Sequence, residues 1–496
     1  MSIAFGFDHS YARALEGYYA RVRPSHVKAP RLLKLNTALA EGLGLDVQAL
    51  SSQEGAAIFS GNELPSDADP IAMAYAGHQF GHFVPQLGDG RAILLGEVIG
   101  RDGIRRDIQL KGAGQTPFSR RGDGRAALGP VLREYLISEA MYALGIPATR
   151  ALAAVATGEP VYRESVLPGA IFTRVAQSHI RVGTFEFFAR RGDDAAIKRL
   201  ADYVIARHYP ELPAAGETSD AERYLAFLDA VMARQADLVS RWMMVGFIHG
   251  VMNTDNTSVA GETIDFGPCA FMDRYDPQTV FSSIDEGGRY AYANQPPIVQ
   301  WNLARFAETL LPLLADDPKQ AVAIATERIV AFEPLFEARW LAGMRRKLGL
   351  QSADPSDESL AQELLEQLHA SQADFTLSFR QLCNIAGGED VTPLRAQLRD
   401  GQRFDAWLAR WRQRTENDPQ PATERAAAMR RHNPAFIPRN HRVEEALERA
   451  TQAMDLSAFE QLSQVLSRPY DDQPDQARYA EPAPASSRPY RTFCGT

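Results

Sequence analysis

The spacing of apolar residues changes once along this chain, and the change limits the folds that the chain can adopt. In the first part, short apolar runs such as Arg91–Ile99 and Ile104–Leu110 flank a Gly-Arg-Asp-Gly turn, which is typical of a β-hairpin. From Asp194 onward, apolar residues recur every three or four positions, as in Ala195–Tyr209 and residues 220–246, which indicates amphipathic helices. We therefore predict an α+β protein with a strand-rich N-terminal lobe and a helical C-terminal lobe.

Further elements follow from the same patterns. A helix is predicted over Leu32–Leu43, and short strands are predicted over Ala151–Ala156, Val161–Val166 and Ala170–Val175. Other helices are predicted over Pro130–Leu144, Ile298–Leu314, Lys319–Lys347, Asp357–Leu368, Phe375–Ala386, Pro393–Glu416, Ala422–Met429 and Val443–Ala453.

Charge and cysteine content exclude several classes of protein. A net charge of -9 and a pI near 5.7 give no electrostatic footprint for nucleic acid. The N-terminus lacks the apolar core of a secretory signal, and no apolar run is long enough to cross a bilayer, so we expect a cytoplasmic protein without a membrane partner. The three cysteines are too few and too scattered for a disulfide framework or a cysteine-based zinc site.

The stretch His249–Pro268 carries the strongest chemical signal. It contains Asp255, Asn256 and Asp265, and Asp265 opens an Asp-Phe-Gly triplet after a short apolar lead-in. Oxygen atoms from Asn256 and Asp265 that converge on one point would suit Mg²⁺ bridging phosphate groups. The stretch is therefore interpreted as the metal and catalytic centre of a nucleotide-using transferase.

Several glycines and basic residues could form the phosphate-binding half of such a site. Gly88 and Gly90 would let the backbone approach a phosphate closely, and Arg91 would add a fixed positive charge, although Gly-Asp-Gly is also common in ordinary turns. Lys111 ends a predicted strand and could pair with Glu134 on the next helix, or be a solvated surface lysine.

More basic residues lie in the loop 115–125 and near or after the end of the predicted strand Ala170–Val175. The loop holds Asp123 and Gly124 among three arginines, and Arg174 and Arg181 follow further along the chain. Arginine forks match phosphate oxygens bidentately, but an exposed basic loop and ordinary surface charges would give the same pattern.

One position departs from the protein-kinase pattern. That pattern has His-Arg-Asp, then four residues and an Asn, with the Asp as the base. Laid on this chain, His249 and Asn256 fit, but the base position falls on Val251, which cannot accept a proton. Asp255 is the nearest replacement, with a loop-capping aspartate as the alternative interpretation.

Several longer motifs, which lie between Tyr75 and Asp273, resemble the SelO family of protein adenylyltransferases, pseudokinases with a bilobal kinase-like fold. The motifs are Y-A-G-H-Q-F-G-H-F at Tyr75–Phe83, Q-L-G-D-G-R at Gln86–Arg91, L-K-G-A-G-Q-T-P-F-S-R at Leu110–Arg120, H-G-V-M-N-T-D-N from His249 and D-F-G-P-C from Asp265.

The resemblance implies an activity and a set of residue roles. ATP would bind flipped relative to an ordinary kinase, and AMP would pass to Ser, Thr or Tyr hydroxyls of proteins with release of pyrophosphate. Some members also use UTP with Mn²⁺. Asp255 would be the proton acceptor, Asn256 and Asp265 would bind Mg²⁺, and Glu134 would pair with the lysine. The residues implied to contact nucleotide are Gly88, Gly90, Arg91, Lys111, Asp123, Gly124, Arg174, Arg181 and Asp265.

The family often carries selenocysteine three residues from the C-terminus, where this chain has Cys494. A disulfide between Cys494 and Cys269 that restrains the site is a hypothesis from this resemblance. The expected division of the chain is an N-terminal helical extension (1–70), a kinase-like N-lobe with nucleotide-binding loops (71–180), a C-lobe with catalytic and metal-binding loops (181–300), its helical C-terminal part with a helical extension (301–465) and a flexible tail with Cys494 (466–496).

Two other functions remain open at this point. A protein or small-molecule kinase would use the same His-Gly and Asp-Phe-Gly elements, although Val251 argues against it. A catalytically inactive nucleotide-binding scaffold would need neither Asp255 nor Asp265.

Overall fold

An antiparallel sheet organises the N-terminal part of the computed structural model, which describes residues 3–418, 420–484 and 490–493. The strands are β1 (Tyr19–Arg21), β2 (Arg31–Leu35), β3 (Ile71–Met73), β4 (Gly77–Gln79), β5 (His82–Val84), β6 (Ala92–Ile99), β7 (Arg105–Lys111), β8 (Ala126–Ala127), β9 (Arg150–Tyr162), β10 (Val166–Ala176), β11 (Phe247–Ile248) and β12 (Ala270–Phe271). In the main sheet they run in the order β1-β3-β6-β7-β10-β9-β2, with β8 paired to β10. Strands β4 and β5 form a separate pair, and so do β11 and β12.

Strand register brings three polar side chains of the sheet to one place. Lys111 at the end of β7 lies opposite Phe172 of β10, and Gln109 lies opposite Arg174. Because alternate residues of a strand point to the same face, Lys111, Gln109 and Arg174 project together from the sheet.

Helices make up most of the remaining chain, and they dominate after residue 180, somewhat earlier than the change predicted at Asp194. They are α1 (Ser10–Ala14), α2 (Thr37–Gly42), α3 (Val47–Leu50), α4 (Gln53–Phe59), α5 (Leu128–Ala143), α6 (Val182–Ala189), α7 (Asp194–His208), α8 (Asp220–Val245), α9 (Gln295–Leu314), α10 (Pro318–Val330), α11 (Phe332–Leu348), α12 (Asp357–Ser371), α13 (Phe375–Ala386), α14 (Thr392–Arg395), α15 (Gly401–Glu416), α16 (Ala422–Arg430), α17 (Asn440–Ala453) and α18 (Ser457–Leu466).

The longest helix, α8, delivers the chain into the stretch that carries the chemistry. A capping box of Ser219 and Glu222 starts it, and Gly246 ends it with a left-handed backbone (φ 71°) directly before β11. Its buried face joins α5 and α9 in one large apolar core, while a second core lies among the later helices around Trp407. The mixed α/β composition and the order of sheet and helices confirm the predicted fold class and are consistent with a kinase-like fold.

Four secondary-structure predictions were wrong in detail. The predicted helix Leu32–Leu43 is strand β2 followed by α2, because Arg31–Leu35 pairs with β9 at the edge of the sheet. The three short strands after Arg150 are two long ones, β9 and β10, whose hairpin takes up Pro168 through a shift in register.

The predicted helix Lys319–Lys347 is divided at Ala331 into α10 and α11, since Pro334 fits only in the first turn of a helix. The predicted helix Pro393–Glu416 is divided as well, because Asp400 caps α15 by accepting a hydrogen bond from the Arg403 amide.

The expected five-part division of the chain stays a prediction. Within the ranges given above, no helix is both long and apolar enough to cross a membrane. Near the C-terminus, the Thr492 amide donates to the Phe281 carbonyl (2.8 Å) and the Thr492 hydroxyl donates to the Pro268 carbonyl (2.5 Å).

Candidate nucleotide-binding and catalytic site

A cavity of about 500 Å³ lies between the sheet and the loops that follow β11. The sequence-predicted site residues line this cavity together, with the exception of Arg181. The lining includes Gly88, Gly90, Arg91, Lys111, Asp123, Gly124, Arg174, Asp255, Asn256 and Asp265.

Asp265 lies at the centre of a compact group of charges on one wall. Lys111 Nζ is 2.5 Å from Asp265 Oδ1 and 2.6 Å from Glu134 Oε2. Arg174 Nη1 contacts the same two carboxylates at 2.8 and 3.3 Å. Burial alone would raise the pKa of Asp265, but the charges of Lys111, Arg174 and Arg181 hold that pKa well below its ordinary value. The carboxylate is therefore ionised and pairs with both Lys111 and Arg174.

The backbone at Asp265 is unusual for a residue with a side chain. Its φ of 64° lies in the left-handed region, which costs on the order of 1 kcal/mol or more outside glycine. The ion pairs to Lys111 and Arg174 hold the residue in this conformation, and the carboxylate is thereby turned toward the sheet.

Glu134 is positioned by helix α5, together with its neighbour Arg133. Arg133 donates to the carbonyl oxygens of Gly267 (3.1 Å) and Cys269 (2.6 Å). It also contacts Glu444 at 3.1 Å. Helix α5 therefore holds both the partner of Lys111 and the backbone that follows Asp265.

Gln109 supports Arg174 from beneath the cavity, and sequence analysis missed it. Its Oε1 accepts hydrogen bonds from Arg174 Nε (3.2 Å) and Nη2 (2.7 Å), and its Nε2 donates to Asp89 Oδ2 (3.1 Å). Burial raises the pKa of Asp89 to about 6. The one available signal was a glutamine within the apolar run Ile108–Leu110, where a polar residue requires buried partners.

Two glycine-containing loops pack against each other to form another wall. Gly88 has φ 71°, and a Cβ there would lie 2.3 Å from the ring of Phe118. The Thr116 hydroxyl donates to the Asp89 carbonyl (2.7 Å), and the Ser119 hydroxyl donates to the Gly90 carbonyl. These contacts fix the backbone of residues 88–90 against the loop that contains Gly124.

We expect Gly88→Ala to weaken ATP binding by about 10-fold, because the new methyl group must displace Phe118 and with it the loop. Isothermal titration with ATP measures the effect. Gly103→Ala is the matched control, since Gly103 has a similar φ (75°) but open space around its Cβ position. It should cost about 1 kcal/mol of stability and leave ATP affinity unchanged; equal affinities for both variants would contradict the prediction.

Asp123 lies at the exposed rim of the cavity and is engaged with Arg163. The two Arg163 nitrogens contact its carboxylate oxygens at 2.8 and 3.1 Å, and these hydrogen bonds lower the pKa of Asp123. Arg163 also lines the cavity, and no pattern in the sequence had pointed to it.

Arg181 holds the loop that carries Asp255 instead of lining the cavity. Its Nη1 donates to the Asp255 carbonyl oxygen at 2.8 Å, and its guanidinium lies 4.3 Å from the centre of the Tyr75 ring. Arg181 is almost fully buried and lies 3.7 Å from Asp265 Oδ2. It therefore joins the loop that carries Asp255 to the charges around Asp265.

Asp255 lies in a short 3-10 turn, Thr254–Asn256, which also lines the cavity through Asp255 and Asn256. Asp255 Oδ2 accepts a hydrogen bond from Gln79 Nε2 (3.2 Å), while Oδ1 has no hydrogen-bond partner among the described residues. Burial raises the pKa of Asp255 to about 6. The neighbouring Asn256 donates through Nδ2 to the Val251 carbonyl (2.9 Å), which leaves its Oδ1 as an acceptor.

Cys269 is fully buried beside this site, and burial raises the pKa of its thiol to about 12. Its hypothetical disulfide partner, Cys494, lies outside the described residues, so the pairing stays a prediction.

Comparison with known proteins places this site in a family. A family model described as "Protein adenylyltransferase SelO" matches residues 2–467. A protein from Rhizobium etli (strain CIAT 652) named "Protein nucleotidyltransferase YdiU" is 63% identical over 496 residues, which are 100% of this chain and 98% of the relative.

Proteins of the same name from Rhizobium meliloti (strain 1021) and Bradyrhizobium sp. (strain BTAi1 / ATCC BAA-1182) are 62% and 61% identical, and each match covers at least 99% of this chain and 100% of the relative. The family match and these full-length identities agree with the motifs and with the cavity they line. This chain belongs to the SelO family of protein adenylyltransferases.

Proposed function

We propose that this protein transfers AMP from ATP to a hydroxyl group of a protein substrate and releases pyrophosphate. The observation that carries the proposal is the lining of the cavity, which includes Asp255 together with Lys111, Arg174 and Asp265, while Val251 occupies the position of a kinase base. Family membership and the names of its relatives support a nucleotidyltransferase.

Lys111 and Arg174 bind the phosphate chain of the nucleotide. Lys111 and Arg174 already share two carboxylates, so their orientation is fixed before ATP arrives. Arg91 and the backbone of Gly88 and Gly90 line the same cavity and approach the remaining phosphate oxygens.

Asp255 accepts the proton of the substrate hydroxyl. The hydroxyl oxygen attacks the α-phosphorus, a new P–O bond forms, and the bond from the α-phosphorus to the bridging oxygen breaks so that pyrophosphate leaves. The position of Asp255 in the cavity lining and its pKa, which burial raises to about 6, support this role, since a general base works best with a pKa near the operating pH.

Asn256 and Asp265 are the residues that would hold Mg²⁺ or Mn²⁺. Among the described residues, no group of three or more His, Cys, Asp or Glu side chains is placed to hold a metal by itself. Two oxygen donors on one cavity fit an ion that takes its other ligands from phosphates and water, as Mg²⁺ commonly does. The ion would neutralise negative charge on the phosphates.

The acceptor is the hydroxyl of Ser, Thr or Tyr, and UTP is a second candidate nucleotide, which would give UMP transfer. The protein acts in the cytoplasm in this proposal. A kinase remains the alternative enzyme, and an inactive nucleotide-binding scaffold the alternative without catalysis.

Two labelled forms of ATP test the proposal. With Mg²⁺ and a cell extract as substrate, we expect label from the α-phosphate to enter protein, since the AMP group is transferred, and label from the γ-phosphate to leave in pyrophosphate. Label that enters only from the γ position would establish a kinase. No label from either position, together with ATP binding, would favour the scaffold.

A further inference from the structure

The hairpin β4–β5 lies directly on the catalytic loop. The His78 amide donates to Thr254 Oγ1 (2.7 Å), and the Phe80 amide donates to Asn253 Oδ1 (3.1 Å). Between them, the Gln79 side chain contacts the Asp255 carboxylate. Three successive residues of the hairpin thus contact three successive residues of the loop.

Glu186 of helix α6 contacts both the hairpin and the loop. Its Oε1 lies 2.5 Å from His78 Nδ1, and its Oε2 accepts a hydrogen bond from the Thr254 hydroxyl at 2.5 Å. Glu186 and Thr254 are buried, where hydrogen bonds to a charged group are strong and costly to break. The hairpin, the helix and the loop are therefore joined through Glu186 and Thr254.

Packing between backbone and carboxylate is close as well. A Cβ on Gly77 would lie 2.5 Å from Asp255 Oδ1, and a Cβ on Gly183 would lie 2.1 Å from the Ala76 carbonyl oxygen. Asp255 is thus confined by the hairpin on one side. Among the described residues, Gln79 supplies the one side-chain hydrogen bond that the Asp255 carboxylate receives.

We propose that Gln79 is a positioning residue, whose amide holds Asp255 Oδ2 and so keeps the carboxylate in one orientation at the cavity that it lines. The inference rests on the proposed function and adds a residue to it. A carboxylate that rotates freely would spend part of its time with neither oxygen aimed at the acceptor, and a displacement of about 1 Å in such a group can cost about 100-fold in rate.

Gln79→Met tests the proposal because it keeps the length of the side chain and removes the amide. We expect kcat for AMP transfer to fall 10- to 100-fold, with the KM for ATP and the thermal unfolding midpoint unchanged. His82→Ala is the control on the same hairpin, since His82 is exposed and should retain full activity. A kcat within 2-fold of the unsubstituted protein, or a loss confined to KM, would overturn the proposal.

A double variant tests whether Gln79 acts through Asp255. If it does, Gln79→Met combined with Asp255→Asn should be no slower than Asp255→Asn alone, whereas independent roles would multiply the two losses and overturn the inference. The unsubstituted protein is assayed alongside with α-labelled ATP. Its failure to transfer AMP would refute the proposed function itself, which separates that failure from a failure of the Gln79 inference.

The anchor of the hairpin offers an independent pair of variants. Thr254→Ser keeps the hydroxyl that joins His78 and Glu186, and we expect it to retain most of the activity. Thr254→Val has nearly the same shape without the hydroxyl, and it should lower kcat as Gln79→Met does. Equal rates for the two variants would contradict the role of the hairpin.

Discussion

Replacing Asp265 by asparagine is expected to lower the rate of AMP transfer by about 10³-fold. This loss and that of the separate variant Asp255→Asn are the largest effects that we expect. Asparagine keeps the shape but removes the charge that Lys111 and Arg174 contact at 2.5 and 2.8 Å. Those cations would then lose their common anion, and the proposed metal would lose its carboxylate ligand. Initial rates with α-labelled ATP measure the loss.

Stability provides a second measurement on the same variant. Because two cations lose an ionised partner, we expect the free energy of unfolding in denaturant to fall by about 2 kcal/mol. Asp237→Asn is a suitable control, since Asp237 forms an ion pair with Arg241 on the outer surface of α8. It should change neither quantity appreciably. Activity within 10-fold of the unsubstituted protein would remove Asp265 from the centre of the mechanism.

Replacing Asp255 by asparagine is expected to reduce kcat by about 10²- to 10⁴-fold, the range typical for the loss of a general base. The amide fills the same space but cannot accept the proton of the attacking hydroxyl. The KM for ATP should stay within a few-fold of its original value, because Lys111 and Arg174 form their ion pairs with Glu134 and Asp265 and not with Asp255. Single-turnover assays under saturating ATP would separate this chemical step from product release.

The comparison with Val251 sharpens this second prediction. Val251→Asp restores a carboxylate at the position of the kinase base, and in the Asp255→Asn background it should not restore AMP transfer if the acceptor binds beside Asp255. A variant Asp255→Asn that kept full kcat would show that the loop-capping interpretation was right.

Much of the site could be predicted because its residues lie in contiguous motifs. Lys111, Glu134 and Asp265 are each marked by their neighbours in the chain, and the structure brings them within hydrogen-bonding distance. The fold class could be predicted for a similar reason, since strands and helices leave different apolar periods in the sequence.

Other contacts had no signal in the sequence because they join distant segments through single side chains. Gln79 and Asp255 are 176 residues apart, and nothing near either residue indicates the other. Gln109 was visible only as a polar residue in an apolar run, and its partners Arg174 and Asp89 depend on strand register. Strand β2 was mistaken for a helix because edge pairing decides its conformation, and its own leucines fit either period.

Helix α5 has a consequence for control of the enzyme. Consecutive residues of a helix point about 100° apart around its axis. Here Arg133 donates hydrogen bonds to the backbone that follows Asp265, while Glu134 accepts one from Lys111. Turning the helix about its axis would break both sets of contacts at once. Protein kinases use the placement of the corresponding helix to switch between active and inactive forms. In this fold Arg133 and Glu134 hold the helix in two directions, so Lys111 and the chain after Asp265 are already in place without such a turn.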